Sequence, residues 1–220
     1  MLVFFRNVMQ IGDVYDYITA KIGQQPDCHI EDRTVHMFHL GTHENRKKII
    51  LQLMTASVSR MQIVLCSSSF SLGLNLAGIK YVVHYGVPSS VEDYVQEVRR
   101  AARELGLTGH AILLAYKNMT IGRPIAQTMK EFFRTVSCRR KVLNDYLQIE
   151  TVTPSNSCCD ACDWDLPTGN LPITRLLTDN VHVPDMDMLT ISSVSSAVST
   201  PDLSAGEQWS PFSESDASDF

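Results

Sequence analysis

The sequence predicts an α/β fold built on a parallel sheet, followed by a small helical metal-binding subdomain and a disordered tail. Three observations predict it. Residues 1–116 alternate short apolar, β-branched runs with longer amphipathic ones, the pattern of strand–helix units. A basic stretch from Lys117 to Lys141 leads to a cysteine-rich turn at Ser157–Asp163. From Pro167 onward the chain turns to Ser, Thr, Pro and Asp, with too little apolar surface to offset the entropy of ordering it.

The elements follow in order. Leu2–Phe5 reads as a strand, Val8–Ile22 as a helix and Val35–Leu40 as a second strand. Glu44–Met54 reads as a helix because Ile49, Ile50, Leu53 and Met54 recur at three- and four-residue intervals. Gln62–Cys66 and Tyr81–His84 are strands bounded by polar or turn residues. A helix over Val91–Leu105 begins where Ser89 or Ser90 precedes Glu92 and Asp93, an N-cap with acids in the first turn. Ala111–Ala115 is the fifth strand, and 117–148 is helical and basic. The expected units are therefore 1–116, 117–165 and an acidic Ser/Thr/Pro-rich tail over 166–220. Within that tail Ser192–Pro201 and Ser210–Phe220 suit phosphorylation or partner docking, or are simply solvated.

Length and composition bound the function. A chain of 220 residues and 24.6 kDa holds one ordinary core with some surplus. With 44% hydrophobic and 20% charged residues it has a globular composition, and no apolar run nears the roughly 20 residues of a membrane span. No membrane partner is expected. Leu2–Phe5 is followed at once by Arg6, unlike a secretory signal, so an intracellular, reducing compartment is expected. There the six cysteines read as thiols or metal ligands before disulfides, and Cys138, Cys158, Cys159 and Cys162 cluster. The net charge of −5 averages a basic segment with an acidic tail. The basic segment is either a solvated helix face or a nucleic-acid contact.

Three segments carry chemistry. Cys66–Asn75, rich in Ser and Gly, follows a buried strand, where parallel sheets place ligands and small residues let backbone amides approach phosphate. It is equally the composition of a simple turn and cap. In Gln96–Arg103 a helical spacing puts Gln96, Arg100 and Arg103 on one face, a set suited to phosphate or merely an exposed basic helix end. Cys138, with Cys158, Cys159 and Cys162, offers four thiolates including a C-x2-C pair, the chemistry of a closed tetrahedral Zn2+ site.

The ordered set resembles the second motor lobe of RecQ-family helicases. Its parts are Val3-Phe4-Phe5-Arg6, then Val64 to Asn75, Tyr81 to Pro88 and Tyr94-Val95-Gln96-Glu97, ending with the Cys-Arg-Arg start at Cys138. The resemblance runs from about Met1 to about Asp163 and implies a RecA-like helicase C-terminal lobe with a zinc-binding subdomain. The implied activity is ATP-dependent 3′–5′ DNA unwinding, with single-stranded or junction DNA as partner and the nucleus as location. By the same resemblance Arg100 and Arg103 are catalytic, and Gln96, Arg100 and Arg103 reach ATP/Mg2+ on a separate ATP-binding lobe. Gly73 and Asn75 match the loop that couples nucleotide to DNA. Cys138, Cys159 and Cys162 match zinc ligands, while the family's remaining cysteine falls at Asn156, leaving Cys158 as the fourth. Arg6, Ser67, Ser68, Arg139 and Arg140 are the candidate nucleic-acid contacts.

The chain departs from the family pattern at Ser71, Arg99 and Ala102, where the family has glycine, and Arg99 is expected to obstruct the interlobe cleft. No G-x-x-x-x-G-K-[ST] occurs and no Asp-Glu pair of the Walker B kind, so ATP turnover by this chain alone is not expected. Beginning at Met1 on an interior strand suggests a truncated gene product. Two function classes stand: part of a helicase, or a non-enzymatic DNA- or partner-binding module. A third, an unrelated small-molecule enzyme, leaves the cysteines unexplained.

Overall fold

β1 (Leu2–Phe5) is buried at all four positions, so both of its faces must be apolar and the strand belongs at the centre of a sheet. In the computed structural model, which describes residues 1–71, 78–103, 108–115, 124–149, 158–162 and 189–196, that is its place. The other elements are α1 (Met9–Ile22), a 3-10 turn (Ile30–Asp32), β2 (Val35–Phe38), α2 (Glu44–Thr55) and β3 (Ile63–Ser67). A second 3-10 turn (Ser68–Ser71), β4 (Tyr81–Tyr85), α3 (Val91–Val98), β5 (Gly109–Ala115), α4 (Gln127–Arg134), α5 (Arg139–Leu147) and β6 (Leu189–Ser196) complete the order. The sheet runs β2-β3-β1-β4-β5-β6, with every pair parallel except β5–β6.

Alternation along the strands divides the core between two faces. Leu2, Phe4, Val64, Cys66 and Val82 pack on one face with Phe70 and Ala101, and Leu51 and Met54 of α2 close over them. Val3, Phe5, Leu65, Val83 and Ile112 pack on the other, under Ile11 of α1. The five expected strands and first three helices are present, with ends shifted by a few residues. The largest shift is in α3, which stops at Val98; Leu105 lies outside the described residues.

The basic stretch forms two helices, and both share a core with the sheet. Val87, Val91, Tyr94 and Leu113 join Ile125, Met129 and Phe132 around α4 and Leu143 of α5 in one apolar cluster. The Tyr146 hydroxyl donates to Glu92, fastening α5 to α3. Among the described residues, a boundary at 116 therefore separates stretches of sequence and not hydrophobic cores. A correction also applies to the tail. Leu189–Ser196, within the stretch expected to be disordered, pairs antiparallel with Gly109–Ala115, which closes the edge of β5. The rest of 163–220 lies outside the described residues.

Candidate functional site

The connection from β1 leads towards β2 and that from β4 towards β5, so the crevice between their C-terminal ends is the switch point of the sheet. Arg6 fills it. Its Nη1 donates to the Val87 carbonyl at 3.2 Å and its Nη2 to that of Pro124 at 3.4 Å. Gly86, at φ 103°, turns the chain out of β4 at this point with a conformation that glycine alone adopts easily. Arg6 is half-buried, and its fork ties the loop after β4 to the entry of α4. Ser67 is buried at the end of β3 while Ser68 is exposed; Gly73 and Asn75 lie outside the described residues.

α3 packs against the Ser68–Ser71 turn, so two of the candidate segments meet. Ser90 caps the helix, its Oγ accepting from the Asp93 amide at 3.1 Å. The other end is held from below: His84 Nε2 lies 2.8 Å from Glu97 Oε2, both side chains are buried, and Phe4 and Tyr94 flank the imidazole at 5.7 and 5.0 Å between ring centres. His84 Nδ1 has no hydrogen-bond partner among the described residues, so the ring is oriented through Nε2 alone.

The arginines are not on one helical face, which corrects the reading from spacing. Beyond Val98 the Arg100 amide bonds the Glu97 carbonyl and the Ala101 amide that of Val98, a tightened turn that swings the chain off the helix axis. Arg100 is 3% exposed, whereas Gln96 and Arg103 are exposed. Burial, then the neighbouring Arg103 charge, lowers the Arg100 pKa, while the Cys66 thiol and Glu97 oppose that fall. Burial pushes the Cys66 thiol well up. Arg103 Nε donates to the Arg99 carbonyl at 3.1 Å. Arg99 itself is exposed with ordinary right-handed dihedrals, so nothing at that position requires glycine. Ala102 differs: its φ is 51°, the left-handed region.

The four clustered cysteines come together. Their sulfurs all lie within 4.8 Å of one another, with Cys138–Cys158 and Cys159–Cys162 each at 3.6 Å. Four sulfurs held about 2.3 Å from one zinc ion stand about 3.8 Å apart, so the cluster is of the size and chemistry that could hold a tetrahedral ion. Cys158, adjacent to Cys159 in sequence, supplies the fourth sulfur. Burial pushes the Cys158 thiol up to about 11 and that of Cys162 up to about 12. Burial also opposes ionisation of Cys138, but hydrogen bonds from the Lys141 amide and the other three thiols outweigh it and lower its pKa. A cation would relieve the crowding of thiols at this point.

Arg139 serves this cluster. It is 8% exposed, its Nε and Nη2 grip the two oxygens of Asp160 at 2.7 and 2.9 Å, and its Nη1 donates to the carbonyls of Phe132 and Thr135. Its amide also donates to Cys159 Sγ at 3.4 Å. The expectation that Arg139 touches nucleic acid is therefore corrected, because the side chain is buried and each of its three guanidinium nitrogens donates to a group of the protein. Arg140 is half-buried, and Arg134 and Lys141 are exposed. Asp160 and the His84–Glu97 pair escaped sequence reasoning. An acid between two cysteines, or a histidine in a strand, carries no mark of its partner.

Residues 1–104 match the family described as helicase conserved C-terminal domain. The chain is 33% identical over 119 residues to the ATP-dependent DNA helicase RecQ of Haemophilus influenzae, covering 46% of this chain and 19% of that protein. It is 26% identical over 152 residues to a protein of Acanthamoeba polyphaga mimivirus described as ATP-dependent RNA helicase R290, covering 59% and 26%. It is 24% identical over 171 residues to the mouse bifunctional 3′-5′ exonuclease/ATP-dependent helicase WRN, covering 67% and 12%. The chain thus spans about a quarter or less of the length of these relatives. From β1 through α3 the chain is similar to the conserved C-terminal domain of helicases, and its RecQ-type relatives, at partial coverage, support a RecQ-like C-terminal fragment.

Proposed function

We propose that the chain is the second motor lobe of a RecQ-like 3′–5′ DNA helicase, with the four cysteines holding Zn2+. In that role Gln96 and Arg103 reach ATP/Mg2+ on a separate first lobe, and Arg100 enters the cleft when the lobes close. The observation that carries the reading is the packing of α3 and its arginine-bearing extension against the turn after β3. This couples the groups suited to phosphate to a loop at the strand ends. Single-stranded or junction DNA would run across Ser68 and the exposed cations of α4 and α5, Arg134 and Lys141. Zinc, when bound, would tie the cysteine turn to the start of α5 and so fix those cations on the sheet.

Zinc content, ATP turnover and binding of fluorescent single-stranded DNA on the purified chain test this. A single zinc per chain, no ATP turnover, and DNA binding that weakens steeply with salt are the expected results. Turnover without zinc, or no salt-dependent DNA binding, overturns it. The burial of Arg100 favours a second reading, a binding module without a catalytic arginine. If a RecQ first lobe added in trans gains ATPase activity that Arg100→Ala removes, the second reading fails.

A further inference from the structure

The pairing of β6 with β5 matches the apolar pattern of both strands. Leu189, Ile191 and Val194 stand opposite Ala115, Leu113 and Ala111, three positions that share one face of β5. Strict alternation would set positions 191 and 194 on opposite faces of β6. The register shift between Ala111 and Leu113 puts Ser192 and Ser193 against the single residue Ile112, a bulge that keeps the three apolar positions of β6 on one face. The register of this strand is therefore specified by its sequence.

That register fixes where the chain leaves the sheet. Ser196 stands opposite Gly109, against which Ala101 and Ala102 of the α3 extension lie. Arg103 comes next in sequence, its Nε donating to the Arg99 carbonyl at 3.1 Å, and both arginines are exposed. Lys80 joins them at this end of the sheet. It is exposed and follows Ile79, whose carbonyl takes the Ala102 amide, while its own carbonyl takes the His110 amide at 2.8 Å. The segment that follows β6, 197–220, carries Asp202, Glu207, Glu214, Asp216 and Asp219 and neither lysine nor arginine. Its first acid, Asp202, can lie no further than ~20 Å from Ser196 along an extended chain.

We infer that the acidic segment 197–220 docks on the surface around Arg99, Arg103 and Lys80, where it acts as an internal competitor for phosphate. Opposite charge alone would hold it weakly, because salt screens exposed charges over about 10 Å. The β6 anchor supplies the rest: by holding the start of the segment beside these cations it raises the local concentration of carboxylate to the order of millimolar. A phosphate ligand must then displace the segment before it reaches the arginines. The contact needs only the anchor and the charges, whereas the competition rests on the motor-lobe reading of those arginines.

Zero-length carbodiimide coupling on the full chain tests the contact, since it joins a lysine amine to a carboxylate only where the two meet, the carbodiimide taking up the water released. Peptide mapping is expected to find Lys80 joined to Asp202 or Glu207 within one molecule, and the exposed Lys48 of α2 joined to neither. Thr190→Pro with Ile191→Pro should lower the Lys80 product about fivefold or more, because one of two consecutive strand amides must face β5. Arg99→Ser with Arg103→Ser should lower it about as much. No Lys80 product, a product formed between molecules, or a yield that either double variant leaves unchanged overturns the docking. Titration with tripolyphosphate tests the competition. Asp202→Asn with Glu207→Gln should bind it about threefold or more tightly than the parent, and Asp185→Asn with Asp187→Asn, an equal change of charge at the other end of β6, should shift it by less than about 1.5-fold. Equal shifts overturn the competition. Binding by neither parent nor variant also overturns it and counts against the motor-lobe reading of the arginines, while the coupling result decides the contact by itself.

Discussion

Ala102 and Gly109 are in direct apposition: a Cβ built on Gly109 would stand 2.8 Å from the Ala102 Cβ and 2.9 Å from that of Ala101. The chain leaving α3 lies on the first residue of β5, and the Ala102 amide anchors it by donating to the Ile79 carbonyl at 2.8 Å. This contact needs a bare backbone at 109 and a left-handed one at 102. Where the RecQ pattern has glycine for the latter, this chain has alanine. Ala102→Gly is therefore expected to raise stability by about 1 kcal/mol. Gly109→Ala should lower it by about 1–3 kcal/mol through overpacking. Urea midpoints check both, and a destabilised Ala102→Gly would remove the assigned strain.

His84→Ala would leave the Glu97 carboxylate buried without its partner. The expected loss is about 3–5 kcal/mol in urea unfolding, because an uncompensated buried charge costs more than the pair contributes. His84→Phe combined with Glu97→Leu should lie closer to the parent than either single change. If the double variant is worse than both singles, the pair contributes more than mutual neutralisation.

Asp160→Ala should likewise cost about 3–5 kcal/mol, since it strands the Arg139 guanidinium inside the protein. It should also weaken zinc retention about 10–100-fold, because Asp160 holds Arg139, whose amide donates to Cys159. Competition with a chromophoric chelator measures the second effect. Unchanged zinc retention would reduce the ion pair to a purely structural fastening.

Stability should fall as pH drops below about 6.5. Burial lowers the folded-state pKa of His36, and burial followed by the Lys80 charge lowers that of His110. Between each lowered value and the unfolded value the unfolded chain binds more protons. The stabilisation is thus complete above the unfolded pKa and is lost as pH falls towards the folded one. Urea midpoints from pH 7.5 to 5.5 should show this slope, and His36→Gln with His110→Gln should flatten it. A slope unchanged by the double variant would assign it elsewhere.

Much of the fold could be read from local pattern. Leu2–Phe5 reads as an inner strand, and Ser89 or Ser90 with two acids behind it marks a helix start, which the structure assigns to Ser90. The end of α3 could not be read, because the Ala102–Gly109 contact and the Ile79 carbonyl that turn the chain are remote in sequence. Type and order mark Gln96, Arg100 and Arg103 as candidates in the sequence, but not their exposure: Arg100 is buried and the other two are exposed.

What the sequence by itself determined is whatever depends on near neighbours: strand and helix periods, the capping serine and the supply of thiols. Tertiary structure decided the rest. It brought the Cys158 sulfur to Cys138, gave Arg139 to Asp160 instead of to solvent, joined His84 to Glu97 and set β6 beside β5. Each of these pairings is between chemically ordinary side or main chains whose partners are chosen by distance in space. Burial then makes the choice binding, because a polar group removed from water must find a partner where the fold has placed one.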